Sequence, residues 1–101
     1  MQRYLVIYTQ SARDDVNAIA EHIRLAADDA IAARFTGRII AAVEKLAVLP
    51  LSQRIRPELG PEFRAVRVGQ YMIFYRVEQS TVAIVRVLHG ARRITKELFQ
   101  S

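Results

Sequence analysis

Between Glu62 and Arg93 the chain carries three runs rich in β-branched and aromatic residues, AVRV, YMIFYRV and TVAIVRVL, separated by the dipeptides Gly69-Gln70 and Gln79-Ser80. Runs of this composition interrupted by two-residue turns fold back on themselves as consecutive hairpins. The first turn has the stronger signal, because glycine accepts a positive φ. Whatever else the chain forms must cover the resulting sheet.

Two-residue turns pair Val68 with Tyr71 and Glu78 with Thr81, and side-chain alternation then sorts the strands into two sets. One holds Phe63, Ala65, Met72, Phe74, Val85 and Val87, with Arg67 and Arg76 towards its rim. The other holds Arg64, Val66, Tyr71, Ile73, Tyr75, Ile84, Arg86 and Leu88. The first set is small and mostly apolar and is assigned to a helical layer. The second mixes aliphatics with tyrosines and arginines and is expected to be exposed as a binding face. Two alternatives stay open: the C-terminal tail folds over that face, or a one-residue slip exchanges the sets.

The cover comes from the N-terminal half. Arg3 to Tyr8 suits a first strand. Ser11 with Asp14 resembles a capping box for a helix from about Ala12 to Ala27, with Val16, Ile19 and Ile23 at helical spacing. Asp28 and Asp29 can cap a second helix whose Ile31, Phe35, Ile39, Val43 and Leu46 step by three or four until Pro50 closes it. Leu51 to Pro61 reads as a surface connection. The order β-α-α-β-β-β predicts an α+β fold, a helical hairpin packed on a small, mostly antiparallel sheet. Residues 1–101 fit one domain.

Apolar residues at 51% and charged residues at 25% are ordinary globular values, so disorder is not the default reading. The net charge of +5 comes almost wholly from arginine, which favours carboxylate and phosphate partners, so an acidic protein or a nucleic acid is implied. The same charge also serves simply to keep a small domain soluble. Cysteine is absent, and His22 and His89 do not form a ligand cluster, so no metal and no cofactor is expected. The apolar run LVIY near the start is too short for a signal-peptide core or a membrane span, which points to a soluble, cytoplasmic protein.

His89 stands in LHGARR beside Gly90 and near Arg92 and Arg93. A histidine with arginines at a strand end can serve acid/base cleavage of a phosphodiester, but a turn histidine more commonly bonds to backbone. No phosphate-binding loop, zinc-protease pair or nucleophile elbow occurs.

The element order, the SARDD start of the first helix, RPEL in the connection, FRAVRVGQYMIFYRV and the terminal VAIVRVLHGAR together resemble the ParE branch of the RelE/ParE toxin superfamily. The resemblance spans nearly the whole chain. It implies the toxin of a type II toxin-antitoxin pair, neutralised by a ParD-like antitoxin in a hetero-oligomer that meets operator DNA only through the antitoxin. It further implies a poison of DNA gyrase rather than an enzyme. The RelE branch, which cuts messenger RNA on the ribosome, is the alternative, as is a toxin-derived module that has lost activity. Where RelE-type strands carry an arginine after the aromatic, this chain has Met72; where they end with a catalytic tyrosine, it has Phe99, which lacks a hydroxyl. Arg92 matches their G-x-R arginine and Arg64 lies near their lysine, so the nuclease reading would rest on His89 and Arg92. The expected antitoxin surface is Arg64, Tyr71, Ile73, Tyr75, Ile84 and Arg86, with the groove beside the helical hairpin. Arg92, Arg93 and Phe99 are the expected target-binding residues.

Overall fold

A computed structural model describes residues 2–99. Strand β1 (Leu5–Tyr8) leads into helix α1 (Gln10–Ala26) and helix α2 (Asp29–Val48), followed by strands β2 (Phe63–Val68), β3 (Tyr71–Glu78) and β4 (Thr81–His89) and one turn of 3₁₀ helix at Lys96–Phe99. The α+β order is the one expected. The sheet runs β1-β4-β3-β2: β2, β3 and β4 are antiparallel, and β1 joins β4 in parallel after the helical crossover.

Local chemistry explains the boundaries. The Thr9 hydroxyl, not Ser11, caps α1, accepting from the Ala12 amide at 3.1 Å. Helix α1 therefore starts two residues earlier than the Ser11 box implied. Asp28 caps α2 as expected, through the Ile31 amide at 2.8 Å. Both hairpins take the anticipated registers, Val68 opposite Tyr71 and Glu78 opposite Thr81. Gly69 has φ +59, and a Cβ there would stand 3.1 Å from the Phe35 ring, so backbone and packing both select glycine. Gln79 adopts φ +53 in the second turn without that freedom, at a cost of about 1 kcal/mol.

The assignment of sheet faces is corrected. Ile73, Tyr75 and Ile84, expected on an open face, are wholly buried in the layer beneath the helices, with Ile19, Ile39, Val43 and Leu46. The Tyr75 hydroxyl, 2.8 Å from the Pro50 carbonyl, donates to it and so is satisfied in that layer. The opposite face holds Leu59, Phe63, Phe74, Val85 and Leu88, and the tail lies across it through Ile94, Leu98 and Phe99. Alternation separates two sets but does not say which faces the helices when both faces are covered.

A β-bulge adds a second correction. Phe74 pairs with Arg86 while Tyr75 pairs with Ile84, so Val85 is the extra residue. Beyond it the alternation of β4 reverses. Val87 joins Ile84 beneath the helices, and Leu88 joins Val85 on the other side.

Strand β1 accompanies β4 only as far as Ile84. Past that point side chains replace a strand. Thr9 donates its hydroxyl to the Val85 carbonyl at 2.9 Å, and the Asp15 carboxylate accepts from the Val87 amide at 2.9 Å. Asp15 also accepts two bonds from Arg86, at 2.7 and 3.0 Å, and Arg86 donates onward to the Leu98 carbonyl at 2.8 Å. Side-chain exposures of 18% and 14% make this a largely desolvated pair, and the Asp15 carboxylate raises the pKa of Arg86.

Asp15→Ala strands an arginine and a strand amide together, and is expected to cost about 2 kcal/mol or more in urea unfolding with an unchanged denaturant slope. A change the size of an ordinary surface substitution would remove Asp15 from this role. Desolvation raises Tyr75 to about 12, against smaller lowering effects of Arg64 and a backbone bond. Its contribution is intact below pH 10 and fades as pH rises towards 12, because the unfolded chain releases the phenolic proton first. Stability should fall across that window by on the order of 2 kcal/mol. Tyr75→Phe should flatten the slope, leaving the part due to Tyr8, which burial and then Glu44 also raise.

Candidate functional site

A groove of about 720 Å³ lies between α2 and β2. Arg38, Ala41, Ala42 and Lys45 recur by three and four along one face of α2, so two cations bracket a floor of alanines. Val66 and Val68 form the facing wall, and Arg67 stands at the rim. Helical spacing alone carries this signal, yet reasoning centred on the strands passes over Arg38 and Lys45.

Strand β2 is an edge of the sheet. The connection covers its first residues: the Arg56 amide donates to the Phe63 carbonyl at 2.6 Å, and Ile55 forms an isolated bridge with Arg64. By alternation the main-chain groups of Ala65 and Arg67 face outward, past the end of that cover. An extended peptide could therefore pair with β2 while its side chains enter the groove.

A ladder of rings closes one end. Arg38 lies over Phe35 with its guanidinium carbon 5.4 Å from the ring centre. Phe35 and Tyr71 centroids are 5.3 Å apart, and Tyr71 meets His89 edge-on at 5.2 Å. The half-buried Tyr71 is thus a packing element.

The remaining expected partner-binding residues are also engaged within the fold. Arg64 bonds to the Gln53 carbonyl and holds the connection against β2, and Arg86 is committed to Asp15 and Leu98. None of the six named residues stands free on an open sheet face; the groove beside the hairpin is what remains of that surface. Arg92 and Arg93 are exposed at the turn after β4. Phe99 is set apart from them, its ring 5.1 Å from both Phe63 and Phe74.

His89 has both ring nitrogens occupied. Nδ1 accepts from the Ala91 amide at 3.0 Å, and Nε2 lies 3.1 Å from the Gln70 side-chain oxygen. Those partners assign the neutral tautomer with the proton on Nε2. In that state the ring caps the end of β4 and has no free lone pair for a substrate proton. Among the described residues no group of three or more His, Asp or Glu is placed to hold a metal ion, and no helix is long and apolar enough to cross a membrane.

Residues 6–94 match the family model described as the ParE toxin of the type II toxin-antitoxin system parDE. The chain belongs to the ParE toxin family. Toxin ParE1 of Mycobacterium tuberculosis, in two strains, is 33% identical to this family member over 58 residues, which are 56% of the chain and 59% of the relative. The match thus spans about three-fifths of the length of those curated relatives. Among solved structures, a chain of the chromosomal ParDE system of Pseudomonas aeruginosa superposes with a TM-score of 0.76 at 20% identity, covering 86% of this chain and 96% of that one. A chain of the toxin-antitoxin complex RelBE2 of M. tuberculosis gives 0.61 at 26% identity, with coverages of 86% and 98%. The fold of this ParE family member is therefore that of the RelE/ParE structures.

The histidine assignment is directly measurable. Long-range proton-nitrogen NMR spectra of this family member at neutral pH should show His89 as the Nε2-protonated tautomer, and Gln70→Ala should shift Nε2. A dominant Nδ1-protonated tautomer would return the ring to the list of available bases.

Proposed function

We propose that this chain is the toxin of a ParDE-type pair, that it acts by engaging DNA gyrase rather than by cutting RNA, and that an acidic antitoxin segment silences it from the groove between α2 and β2. The single observation that carries the reading is that groove: an apolar floor with Arg38, Lys45 and Arg67 on its lining, where the one carboxylate, Glu44, is already paired with Arg3, beside the open edge of β2. Apolar side chains of an extended or helical segment fit the floor, carboxylates meet the rim, and main-chain bonds to Ala65 and Arg67 set direction. The complexes to which the solved relatives belong support a protein partner of this kind. In such a complex, contact with operator DNA belongs to the antitoxin.

Gyrase as the target rests on the family. The committed nitrogens of His89, Met72 in place of an arginine and the packing of Phe99 favour engagement of a protein target over phosphodiester cleavage. Arg92 and Arg93 are the exposed candidates for target contact. Phe99 acts through position, holding the tail against the sheet.

Purified gyrase is expected to accumulate cleaved DNA complexes and lose supercoiling activity when this chain is added, with transcripts in a translating extract left whole. Transcript cleavage abolished by His89→Ala would reverse the assignment. Arg38→Glu and Arg67→Glu are each expected to weaken binding of the cognate antitoxin by roughly tenfold or more, most strongly at low salt, measured by calorimetry. Unchanged affinity in the double variant would place the antitoxin elsewhere.

A further inference from the structure

Arginines gather at the end of the sheet where β2 and β4 stop and β3 starts. The Gly90 amide donates to the Gln70 carbonyl at 2.7 Å, which ties the turn after β4 to the Gly69-Gln70 hairpin. Arg67 lies across that junction: one guanidinium nitrogen is 3.4 Å from the Gly69 carbonyl oxygen, and a Cβ on Gly90 would stand 3.4 Å from the other. Arg38 reaches the same hairpin from α2, with nitrogens 3.6 and 3.7 Å from where a Cβ on Gly69 would be. Arg92 and Arg93 follow closely after Gly90, and all four arginines are exposed.

These cations are positioned without being neutralised. Arg3, Arg24, Arg56, Arg76 and Arg86 each pair with a carboxylate, whereas Arg38, Arg67, Arg92 and Arg93 pair with none among the described residues. Arg38 rests on the Phe35 ring and Arg67 against a carbonyl, so both are placed with their charge intact. Asp15 shares a surface hollow with Arg92, but it is engaged by Arg86 and the Val87 amide. The patch is cationic without being apolar. Every large hydrophobic side chain that stands exposed among the described residues belongs to β1, the helices or the connection before β2, and none to the two turns. Protein interfaces centre on apolar and aromatic anchors, whereas nucleic-acid interfaces are polar and strongly positive. Single strands are held by stacking bases on open rings. Tyr71, the ring at this end, is half-buried and already packed against Phe35 and His89. The chemistry therefore fits the outside of a duplex.

We propose that Arg38, Arg67, Arg92 and Arg93 bind the sugar-phosphate backbone of duplex DNA without reading its sequence, so that this chain touches DNA itself at its target. Guanidinium groups suit phosphate oxygens, and four unpaired ones around two linked turns give a compact site for a phosphate strand. The choice of DNA over duplex RNA rests on the gyrase reading above; the backbone chemistry is common to both. Arg38 and Arg67 also line the groove between α2 and β2. An antitoxin segment seated there would thus withdraw two of the four arginines from DNA and leave Arg92 and Arg93 uncovered.

The test uses the full chain without antitoxin or gyrase and a labelled mixed-sequence DNA duplex, read by fluorescence anisotropy. Binding should be saturable with a Kd of roughly 10⁻⁶ to 10⁻⁴ M, weakening with salt at a logarithmic slope of about −3.6 for four phosphate contacts. Arg92→Gln with Arg93→Gln should flatten that slope by about 2 and leave antitoxin affinity unchanged. Arg3→Gln with Arg54→Gln removes the same charge away from the two turns and should leave the slope as it was. The proposal is overturned by absence of saturable binding, by tighter binding of a single strand or of an RNA duplex, or by a control pair as damaging as Arg92 and Arg93. Displacement of the duplex by polyglutamate of equal charge at lower concentration would assign the patch to an acidic protein instead. Gyrase trapping without DNA binding would sink this inference and leave the gyrase reading standing; DNA binding without any effect on gyrase would do the reverse.

Discussion

The Asp15 carboxylate is where the layers of this molecule meet. Strand β4 has nine residues and β1 has four, so half of the sheet's central strand would present open amides beneath α1. Asp15 closes that gap by accepting from Val87, and its charge is balanced by Arg86, which reaches on to the tail at Leu98. Three elements distant in sequence are tied by one acid and one base. Because the pair is largely out of water, it contributes most by keeping each member satisfied; losing either leaves a desolvated charge.

This arrangement explains how a small sheet can be apolar on both sides. The helical hairpin covers one face with long aliphatic side chains, and the tail covers the other with Ile94, Leu98 and Phe99. The edges are what remain accessible, and they are chemically unlike. One carries arginine on the strand and leads to a groove; the other is an uncharged strand with exposed isoleucine and leucine, and Arg13 of α1 is bonded to its last carbonyl.

The strands, both turns and the helical hairpin were legible because each rests on a local rule: two-residue turns, alternation of two and apolar spacing of three or four. The faces were not legible, because Phe74 and Tyr75 are equally suited to burial and both are buried. The bulge at Val85 has no mark in TVAIVRVL, where alternation reads unbroken. Asp15 was hidden behind Asp14, which suited a capping box that Thr9 makes unnecessary. Of the candidate site, Arg92 and Arg93 stand exposed after β4. Arg64, Tyr71 and Arg86 are engaged inside the fold, and Arg38 and Lys45 lie on a helix whose apolar spacing alone drew notice. His89 illustrates the general difficulty: its neighbours in sequence suggested chemistry, and its partners in space make it a cap.

The bulge has a wider effect on how variation in β4 will be tolerated. The strand behaves as two half-strands of opposite parity sharing one backbone, the first half keyed to the helices by Val82 and Ile84, the second by Val87. Deleting Val85 would restore simple alternation with every other pair in place, Val87 still beneath the helices, Leu88 on the tail side and His89 opposite Tyr71, at the loss of one side chain from the tail-side core. A one-residue deletion elsewhere in β4, with the bulge kept, would instead turn over everything beyond it, so position 85 is the place in this strand where a lost residue is absorbed.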